Sequence, residues 1–341
     1  MVSFSLLKKQ LNPEQLEAVE AIEGPVLVLA GPGTGKTQVV ALRIAEILQR
    51  TQVSPRNILA LTFTDAGAKA LRTRLEQIIG IEAFQVAVNT FHGFAGEVIA
   101  SFPHVFQKTR ELVPLTEADQ FQLIEKLLTD RADWPMLRPL RAPTLHVRDI
   151  ASRITVCKRE AVEPLSLTKW ALAEKKAAKG EKSAIKQDQR LAQASRLEEF
   201  ASFFGAYQEK LEQTARYDYD DTILFVIEAL RQNAEVRAYF QEKYQYLLVD
   251  EYQDTNNAQN TLIELLADFF PNPNLFVVGD DKQAIYRFQG ASVANLLRFT
   301  QKFPMTKTIQ LKINYRSTPE IIAAATKVIA QRHVKLNQFV K

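Results

Sequence analysis

Cysteine is almost missing from this sequence, since Cys157 is the single cysteine in 341 residues. One cysteine cannot form an intrachain disulfide, and it cannot build a cysteine-rich metal site. Apolar runs are also short, and none approaches the roughly 18 residues that a membrane-spanning helix needs. The segment MVSFSLLKKQ at residues 1–10 lacks the apolar core of a signal peptide. These absences predict a cytoplasmic protein without a membrane partner.

Charge of one sign is not in large excess either. The 43 Lys and Arg residues against 39 Asp and Glu residues give a net charge of +4. Such a balance permits binding to nucleic acid but does not argue for it. A hydrophobic content of 46% and a charged content of 24% are ordinary for a globular protein with a core. The length allows two or three compact domains.

Short apolar runs rich in Val, Leu and Ile alternate with helix-period segments in two separate blocks. Consecutive apolar residues indicate strands buried on both faces, which is typical of a parallel sheet covered by helices. The candidate strands are residues 25–30, 57–63, 84–91, 246–250, 274–280 and 307–313. Between the blocks, residues 105–216 show helix periodicity and few strand candidates. The pattern predicts an α/β fold with an open parallel sheet, interrupted by an inserted helical domain.

The segment VLVLAGPGTGKT predicts a phosphate-binding loop between a buried strand and an amphipathic helix. Gly31, Gly33 and Gly35 permit backbone angles at which successive N–H groups point at phosphate oxygens. The positive N-terminal end of the following helix adds to this cradle. Lys36 is expected to reach the β- and γ-phosphates, and the Thr37 hydroxyl is expected to bind Mg²⁺. The expected ligand is therefore a nucleotide.

A second polar site follows an apolar strand in the segment YQYLLVDEYQDTN. Asp250 is placed to hold Mg²⁺ through water, and Glu251 is placed to orient and deprotonate an attacking water. Gln283 lies just past the end of the next strand and is placed to sense the γ-phosphate. Tyr286 and Phe288 could present aromatic faces to bases, although either residue alone is more often part of a core. Together with the phosphate-binding loop, the acidic pair predicts hydrolysis of a nucleoside triphosphate rather than binding alone.

The ordered set of motifs resembles that of the UvrD/Rep superfamily 1 DNA helicases. The segments that carry the resemblance are LNPEQLEAV (11–19), AGPGTGKT (30–37), LTFTDAGAKALRTRL (61–75), VNTFHGFA (88–95), YDYDD (217–221), VDEYQDTN (249–256), GDDKQAIYRFQGA (279–291) and NYRS (314–317). These motifs extend over almost the whole chain and occur in the order of the family. The resemblance implies a RecA-like P-loop NTPase fold and an enzyme that uses ATP and Mg²⁺.

The resemblance also implies roles for individual residues. The implied nucleotide-binding residues are Gln15 at the adenine edge, Ala30, Gly31, Pro32, Gly33, Thr34, Gly35, Lys36, Thr37 and Gln38, with Tyr315 stacked on adenine. The implied catalytic residues are Lys36, Asp250, Glu251, Gln283 and Arg316, of which Arg316 would reach the γ-phosphate. Thr37 and Asp250 are the candidate metal ligands. The candidate DNA-binding residues are Thr62, Phe63, Thr90 and His92, together with Tyr286 and Phe288.

A domain organisation follows from the same resemblance. Residues 1–104 and 217–311 would form one RecA-like ATP-binding domain, called 1A, and residues 105–216 would form the inserted helical domain 1B. Residues 312–341 would begin a second RecA-like domain, 2A. Family members continue with a further Arg of the γ-phosphate site, and such arginines are worth roughly 10³–10⁵ in rate. We therefore expect the N-terminal half of a helicase, which hydrolyses ATP slowly by itself.

Two departures from the family pattern affect the expected sites. The Asn of the family's TFTN segment is Asp65 here, and a carboxylate at this point would repel a phosphate backbone. The usual Arg after GKT is Gln38, which weakens the expected packing against adenine.

The resemblance implies ATP-driven translocation on single-stranded DNA and unwinding of duplex DNA, with 3′-to-5′ polarity, in DNA repair or replication. The expected partners are single-stranded DNA, duplex junctions and repair proteins. Two other hypotheses stay open, namely the helicase half of a nuclease-coupled recombination-repair enzyme and a non-motor DNA-binding module controlled by nucleotide.

Overall fold

A computed structural model describes residues 4–131, 133–280 and 293–336 of the chain. The strands are β1 (Val26–Ala30), β2 (Ile58–Thr62), β3 (Ala87–Thr90), β4 (Val113–Pro114), β5 (Arg216–Tyr217), β6 (Tyr246–Val249), β7 (Leu275–Gly279) and β8 (Lys307–Leu311). The helices are α1 (Phe4–Lys9), α2 (Pro13–Glu20), α3 (Lys36–Arg50), α4 (Asp65–Ile79), α5 (Phe91–Ser101), α6 (Gln107–Arg110), α7 (Glu117–Asp130), α8 (Val147–Arg159), α9 (Pro164–Ala178), α10 (Ala184–Gln213), α11 (Asp221–Gln232), α12 (Ala234–Lys243), α13 (Asn257–Ala267), α14 (Val293–Lys302) and α15 (Pro319–Leu336). Among the described residues, no helix is both long enough and apolar enough to cross a membrane.

Six strands form one parallel sheet in the order β3–β2–β6–β7–β1–β8. Every position of β2, β6 and β7 is buried, because helices cover both faces of the sheet. This confirms the α/β fold that the consecutive apolar residues predict. Since all six strands run in one direction, their C-terminal ends share one edge, where open α/β sheets bind ligands.

Two strands differ from their predicted bounds by more than one residue at one end. The strand predicted over residues 84–91 begins only at Ala87, because Gly80–Gln85 forms a 3₁₀-helical turn. The strand predicted over residues 307–313 ends at Leu311, which pairs with Ala30, the last residue of β1. Because β1 ends at Ala30 and the chain enters a loop there, β8 has no further β1 residue with which to pair.

The chain forms two compact units. The first comprises the described residues of Met1–Phe94, Asn233–Thr255 and Ile263–Lys341, and it contains the whole sheet. Its core packs apolar side chains of α2, α3 and α4 against the strands, with Val28 and Ile44 fully buried. Full burial of such a side chain stabilises the fold by about 1.5–3 kcal/mol.

The second unit comprises the described residues of Ala95–Gln232 and Asn256–Leu262 and is helical, apart from a short parallel pairing of β4 with β5. Aromatic residues build much of its core, and the ring of Trp134 meets that of Phe203 edge-on at 4.9 Å between centroids. The domain bounds that the sequence suggests, with divisions after residues 104, 216 and 311, stay predictions.

A buried ion-pair cluster joins three helices of the second unit. Lys158 of α8 is 1% exposed, and its Nζ lies 2.5 Å from Asp218 and 2.7 Å from Asp221 at the start of α11. Tyr207 of α10 donates a hydrogen bond to Asp218 at 3.2 Å. Burial raises the pKa of Asp221 above its usual range, against the attraction of Lys158. The YDYDD segment therefore links α8, α10 and α11.

Candidate functional site

The loop between β1 and α3 has the backbone geometry of a phosphate-binding loop. Gly33 and Gly35 adopt φ angles of 71° and 87°, in a region that other residues rarely occupy. Between them, Thr34 is buried, and its hydroxyl donates to the Gly31 carbonyl at 2.8 Å, which closes the turn. Helix α3 begins at Lys36, and the first N–H groups of any helix lack partners within it. This arrangement fits an anion cradle.

Two acidic residues follow β6 at the same edge of the sheet. Asp250 is 8% exposed, and Glu251 adopts a left-handed conformation with φ of 50°. The Nζ of Lys36 lies 3.3 Å from Oε2 of Glu251, which brings the loop and the acidic segment together. A non-glycine residue in this conformation stores about 1–3 kcal/mol of strain, and such strain concentrates at functional sites. Glu251 is therefore a candidate for a chemical role.

The acidic side chains of this segment share an unusual electrostatic environment. Burial, followed by repulsion from Glu251, raises the pKa of Asp250 to about 6. The Glu251 N–H donates to Oδ1 of Asp250 at 2.9 Å, which opposes the rise. Burial and the charge of Glu251 also raise the pKa of Asp254 to about 6. A bound cation would stabilise both carboxylates in their ionised form.

The structure adds three residues to the site that the sequence interpretation missed, namely Gln253, Asp254 and Asp280. Gln253 is 1% exposed, and its Nε2 donates to Oε2 of Glu251 at 2.8 Å and to Oδ2 of Asp254 at 3.1 Å. Its Oε1 accepts from the N–H of Asp280 at 2.9 Å, just after β7. The side chain of Gln253 thus joins the ends of two neighbouring strands. In the sequence, the signal for Asp254 and Asp280 is that each acid stands in a polar segment directly after a buried strand.

Gln15 lies beside the phosphate-binding loop and is hydrogen-bonded to it. Asn12 caps α2, and Asn12 and Gln15 exchange reciprocal side-chain-to-backbone hydrogen bonds of 2.8 and 3.1 Å. The Nε2 of Gln15 donates to the Thr34 carbonyl at 2.9 Å. The amide of Gln15 is therefore engaged within the protein, and its contact with adenine stays a prediction.

The remaining candidate nucleotide residues lie in the same loop or at the start of α3. Ala30 ends β1, Pro32 stands between two of the loop glycines, and Thr37 lies in the first turn of α3. Gln38 accepts a hydrogen bond of 2.9 Å from Arg74 of α4. Gln38, which stands where the family usually has Arg, is therefore hydrogen-bonded within the protein.

The turn at residues 314–317 lies against the loop. The N–H of Tyr315 donates to the Gly33 carbonyl at 2.8 Å, and the Nδ2 of Asn314 donates to the Pro32 carbonyl at 2.6 Å. The Tyr315 hydroxyl accepts from Nδ2 of Asn12 at 2.9 Å. Arg316 is exposed beside the loop. The structure therefore brings Tyr315 and Arg316 to the same site as Lys36.

Four candidate DNA-binding residues lie at the ends of two neighbouring strands. Thr62 ends β2 in register with Thr90, which ends β3. The Thr62 hydroxyl is buried and donates to the Thr64 carbonyl at 3.0 Å, whereas Phe63 and His92 are half-buried. The candidate catalytic residue Gln283 and the candidate DNA-binding residues Tyr286 and Phe288 lie outside the described residues.

Most of the chain matches one known protein family. The family model of the UvrD/REP helicase N-terminal domain matches residues 11–304. The chain belongs to the UvrD/REP helicase family. Its parallel sheet and phosphate-binding loop are thus those of a UvrD/REP N-terminal domain.

Curated UvrD/REP relatives with similar sequences are named ATP-dependent DNA helicase PcrA. The protein of Staphylococcus epidermidis is 36% identical over 327 residues, which cover 96% of this chain and 41% of that protein. The protein of Bacillus subtilis is 36% identical over 319 residues, which cover 94% of this chain and 39% of that protein. The chain therefore spans about two fifths of the length of these relatives.

The side chains of this UvrD/REP domain fit Mg²⁺ bound together with nucleotide phosphates. Within residues 4–131, 133–280 and 293–336, no group of three or more His, Cys, Asp or Glu side chains is arranged to hold a metal ion. Magnesium in nucleotide sites commonly uses one or two protein oxygens together with phosphates and water. Thr37 in the first turn of α3 and the buried Asp250 supply such a limited set.

Proposed function

We propose that this chain is the nucleotide-hydrolysing part of an ATP-dependent DNA helicase. The observation that carries the proposal is the 3.3 Å pair between Lys36 and Glu251, which sets the cation of the phosphate-binding loop against an acid at the end of β6. Catalysis of phosphoryl transfer depends on such positioning of charge around the phosphate and the attacking water. The names of the relatives, all ATP-dependent DNA helicases, support the same activity.

The residues of the loop would bind the phosphates. The N–H groups around Gly33 and Gly35 and the cation of Lys36 would surround the phosphate oxygens and stabilise the charge that develops there. Thr37 and Asp250 would hold Mg²⁺, which supplies positive charge to the phosphate oxygens when bound.

Glu251 would act as the general base toward the attacking water. In the structure its carboxylate pairs with Lys36 at 3.3 Å. Phosphate oxygens compete for the same ammonium group, so binding of the nucleotide would release Glu251 from this pair. The carboxylate, still oriented by Gln253 at 2.8 Å, would then accept the proton of the water.

In the whole protein, we propose that hydrolysis is coupled to 3′-to-5′ translocation on single-stranded DNA and to unwinding of duplex DNA. Thr62, Phe63, Thr90 and His92 would contact the strand, because they lie at or just after the C-terminal ends of β2 and β3, at the same edge of the sheet as the nucleotide site. Tyr286 and Phe288 are proposed to stack on bases. The proposed setting is DNA repair or replication in the cytoplasm, with duplex junctions and repair proteins as partners.

Steady-state hydrolysis by the whole protein, measured with and without single-stranded DNA, tests the proposal. We expect DNA to stimulate hydrolysis by the wild type. We expect Glu251→Gln to lower the rate by roughly 10²–10⁴-fold, which is the typical contribution of a general base. A Glu251→Gln variant that hydrolyses ATP at the wild-type rate would contradict the assigned role. A wild-type rate that does not respond to DNA would contradict the motor function and favour a nucleotide-controlled binding module.

A further inference from the structure

We propose that Asn314 is a positioning residue, which ties the turn at residues 314–317 to the phosphate-binding loop and thereby sets the place of Arg316. The inference rests on the proposed nucleotide site and deepens it. It concerns how the protein distinguishes a nucleoside triphosphate from a diphosphate. Neither the loop motif nor the chemistry of Arg316 assigns a role to Asn314, which stands two residues before Arg316.

Asn314 uses both ends of its side-chain amide. Its Oδ1 accepts from the N–H groups of Arg316 at 2.8 Å and Ser317 at 2.9 Å, which folds the chain into a tight turn. Its Nδ2 donates to the Pro32 carbonyl at 2.6 Å, which fastens that turn to the loop. One side chain therefore both shapes the turn and attaches it.

Two further hydrogen bonds place the same turn. The N–H of Tyr315 donates to the Gly33 carbonyl at 2.8 Å, and the Tyr315 hydroxyl accepts from Asn12 at 2.9 Å. The turn thus contacts the loop through two successive carbonyls, those of Pro32 and Gly33. In a trans peptide the carbonyl and the N–H of one plane point in opposite directions. The turn therefore lies on the carbonyl side and does not block the N–H groups that would bind phosphate.

The contact between the turn and the loop is close enough to require glycine at position 33. A Cβ on Gly33 would lie 2.6 Å from Cβ of Arg316 and 2.7 Å from Oδ1 of Asn314. Both distances are well below van der Waals contact, so an alanine would push the turn away. Arg316 consequently starts directly beside the loop, and its direction depends on the attachment that Asn314 provides.

An effect on nucleotide preference follows from this geometry. The γ-phosphate, which ATP has and ADP lacks, is the group that Arg316 would reach, as the family resemblance implies. Loosening the turn should therefore weaken binding of an ATP analogue more than binding of ADP. A purely structural role of Asn314 would lower both affinities together.

The charged substitution Asn314→Asp and the uncharged substitution Asn314→Ser together test the attachment. The carboxylate keeps the oxygen that accepts from Arg316 and Ser317, but it cannot donate to the Pro32 carbonyl. We expect the ratio of ATPγS affinity to ADP affinity, measured by titration of residues 1–341 with Mg²⁺ present, to fall about two- to tenfold, as for the loss of one hydrogen bond. Asn314→Ser, whose shorter side chain does not reach Pro32, should reproduce the fall. Adding Asn314→Asp to Arg316→Ala should lower the ratio little further, because Asn314 acts only through Arg316.

A matched control is Asn57→Asp. The Nδ2 of Asn57 donates to the Lys243 carbonyl at 2.7 Å, just before β2 and therefore at the opposite edge of the sheet. This exchange removes the same kind of bond and should leave the ATPγS-to-ADP ratio at its wild-type value. An unchanged ratio in Asn314→Asp and Asn314→Ser, or effects of Asn314→Asp and Arg316→Ala that simply add, would overturn the inference. Failure of the wild type to bind either nucleotide would instead overturn the proposed function itself.

Discussion

Gln253 holds the proposed general base in place through hydrogen bonds that also reach the end of the neighbouring strand β7. Its amide contacts Glu251 at 2.8 Å, Asp254 at 3.1 Å and the N–H of Asp280 at 2.9 Å. We expect Gln253→Leu to slow single-turnover hydrolysis by up to about 100-fold, because a misplaced catalytic group loses that much. Nucleotide affinity should change little. The free energy of unfolding should fall by about 1–3 kcal/mol, because a buried donor loses its acceptor. An unchanged hydrolysis rate would show that Glu251 is oriented by other groups.

The buried carboxylate of Asp250 is expected to destabilise the nucleotide-free protein above about pH 6. Burial raises its pKa to about 6 from the ordinary value of 3.8, so the folded protein binds this proton more tightly than the unfolded chain. The stability of the folded state therefore falls as the pH rises from about 4 to about 6, and it stays lowered at higher pH.

Asp250→Asn should remove this cost. Two pKa units correspond to about 2–3 kcal/mol, so the variant should exceed the wild type in free energy of unfolding by that order at pH 8 and by much less at pH 4. Denaturant titrations at both pH values measure the difference, with Asp268→Asn, an exchange at an exposed site, as the control. The same difference at pH 4 and pH 8 would contradict the raised pKa. Mg²⁺-dependent nucleotide binding should weaken in the same variant.

At the scale of the elements, the strands of the sheet could be predicted because burial on both faces requires consecutive apolar residues. Val26–Ala30 and Leu275–Gly279 are such runs, and each lies within the segment that the sequence predicts. The start of β3 could not be predicted, since the 3₁₀-helical turn at Gly80–Gln85 contains apolar residues that continue the pattern of the strand.

The candidate site was predictable only where a local motif specifies it. The glycines, Lys36 and Thr37 stand in one contiguous loop, whereas the hydrogen bond from Asn12 to Tyr315 joins residues 303 positions apart. Gln253 looks like an ordinary loop residue in the sequence. Its contact with Asp280 depends on the pairing of β6 with β7, which no local pattern determines.

Helices α8, α10 and α11 depend on the charge of Lys158. In Lys158→Met, Asp218 and Asp221 would stay buried without their cation, so the free energy of unfolding should fall by about 3–5 kcal/mol at pH 8. Lowering the pH to 5 should recover part of this loss, because burial already raises the pKa of Asp221 and protonation then neutralises its carboxylate.

Hydrogen exchange of α8 and α11 at the two pH values reports on these helices directly. The double variant Lys158→Met with Asp221→Asn is the matched control, since it removes one of the two buried acids and should depend less on pH. A loss of protection that is equal at pH 5 and pH 8 in Lys158→Met would show that packing, and not charge, explains the effect.

At the scale of the whole molecule, DNA binding should respond to charge at the edge of the sheet that carries the nucleotide site. Asp65 is exposed in the first turn of α4, directly after β2. In the whole protein, Asp65→Asn should tighten binding of single-stranded DNA at low salt and change the salt dependence of the affinity, because a charge that repels phosphates is removed. Glu76→Gln removes the same charge at the exposed other end of α4 and should have little effect. Equal salt slopes for wild type and Asp65→Asn would place Asp65 away from the DNA.

The central claim is that Lys36 and Glu251 form one nucleotide site, and calorimetric titration of residues 1–341 with a Mg²⁺-bound, non-hydrolysed ATP analogue tests it most directly. Wild type and Glu251→Gln should both bind. The Glu251→Gln variant should bind at least as tightly, because Lys36 no longer has to leave a carboxylate 3.3 Å away. Lys36→Ala should give no binding heat. Equal binding by all three proteins, or binding by none of them, would contradict the account.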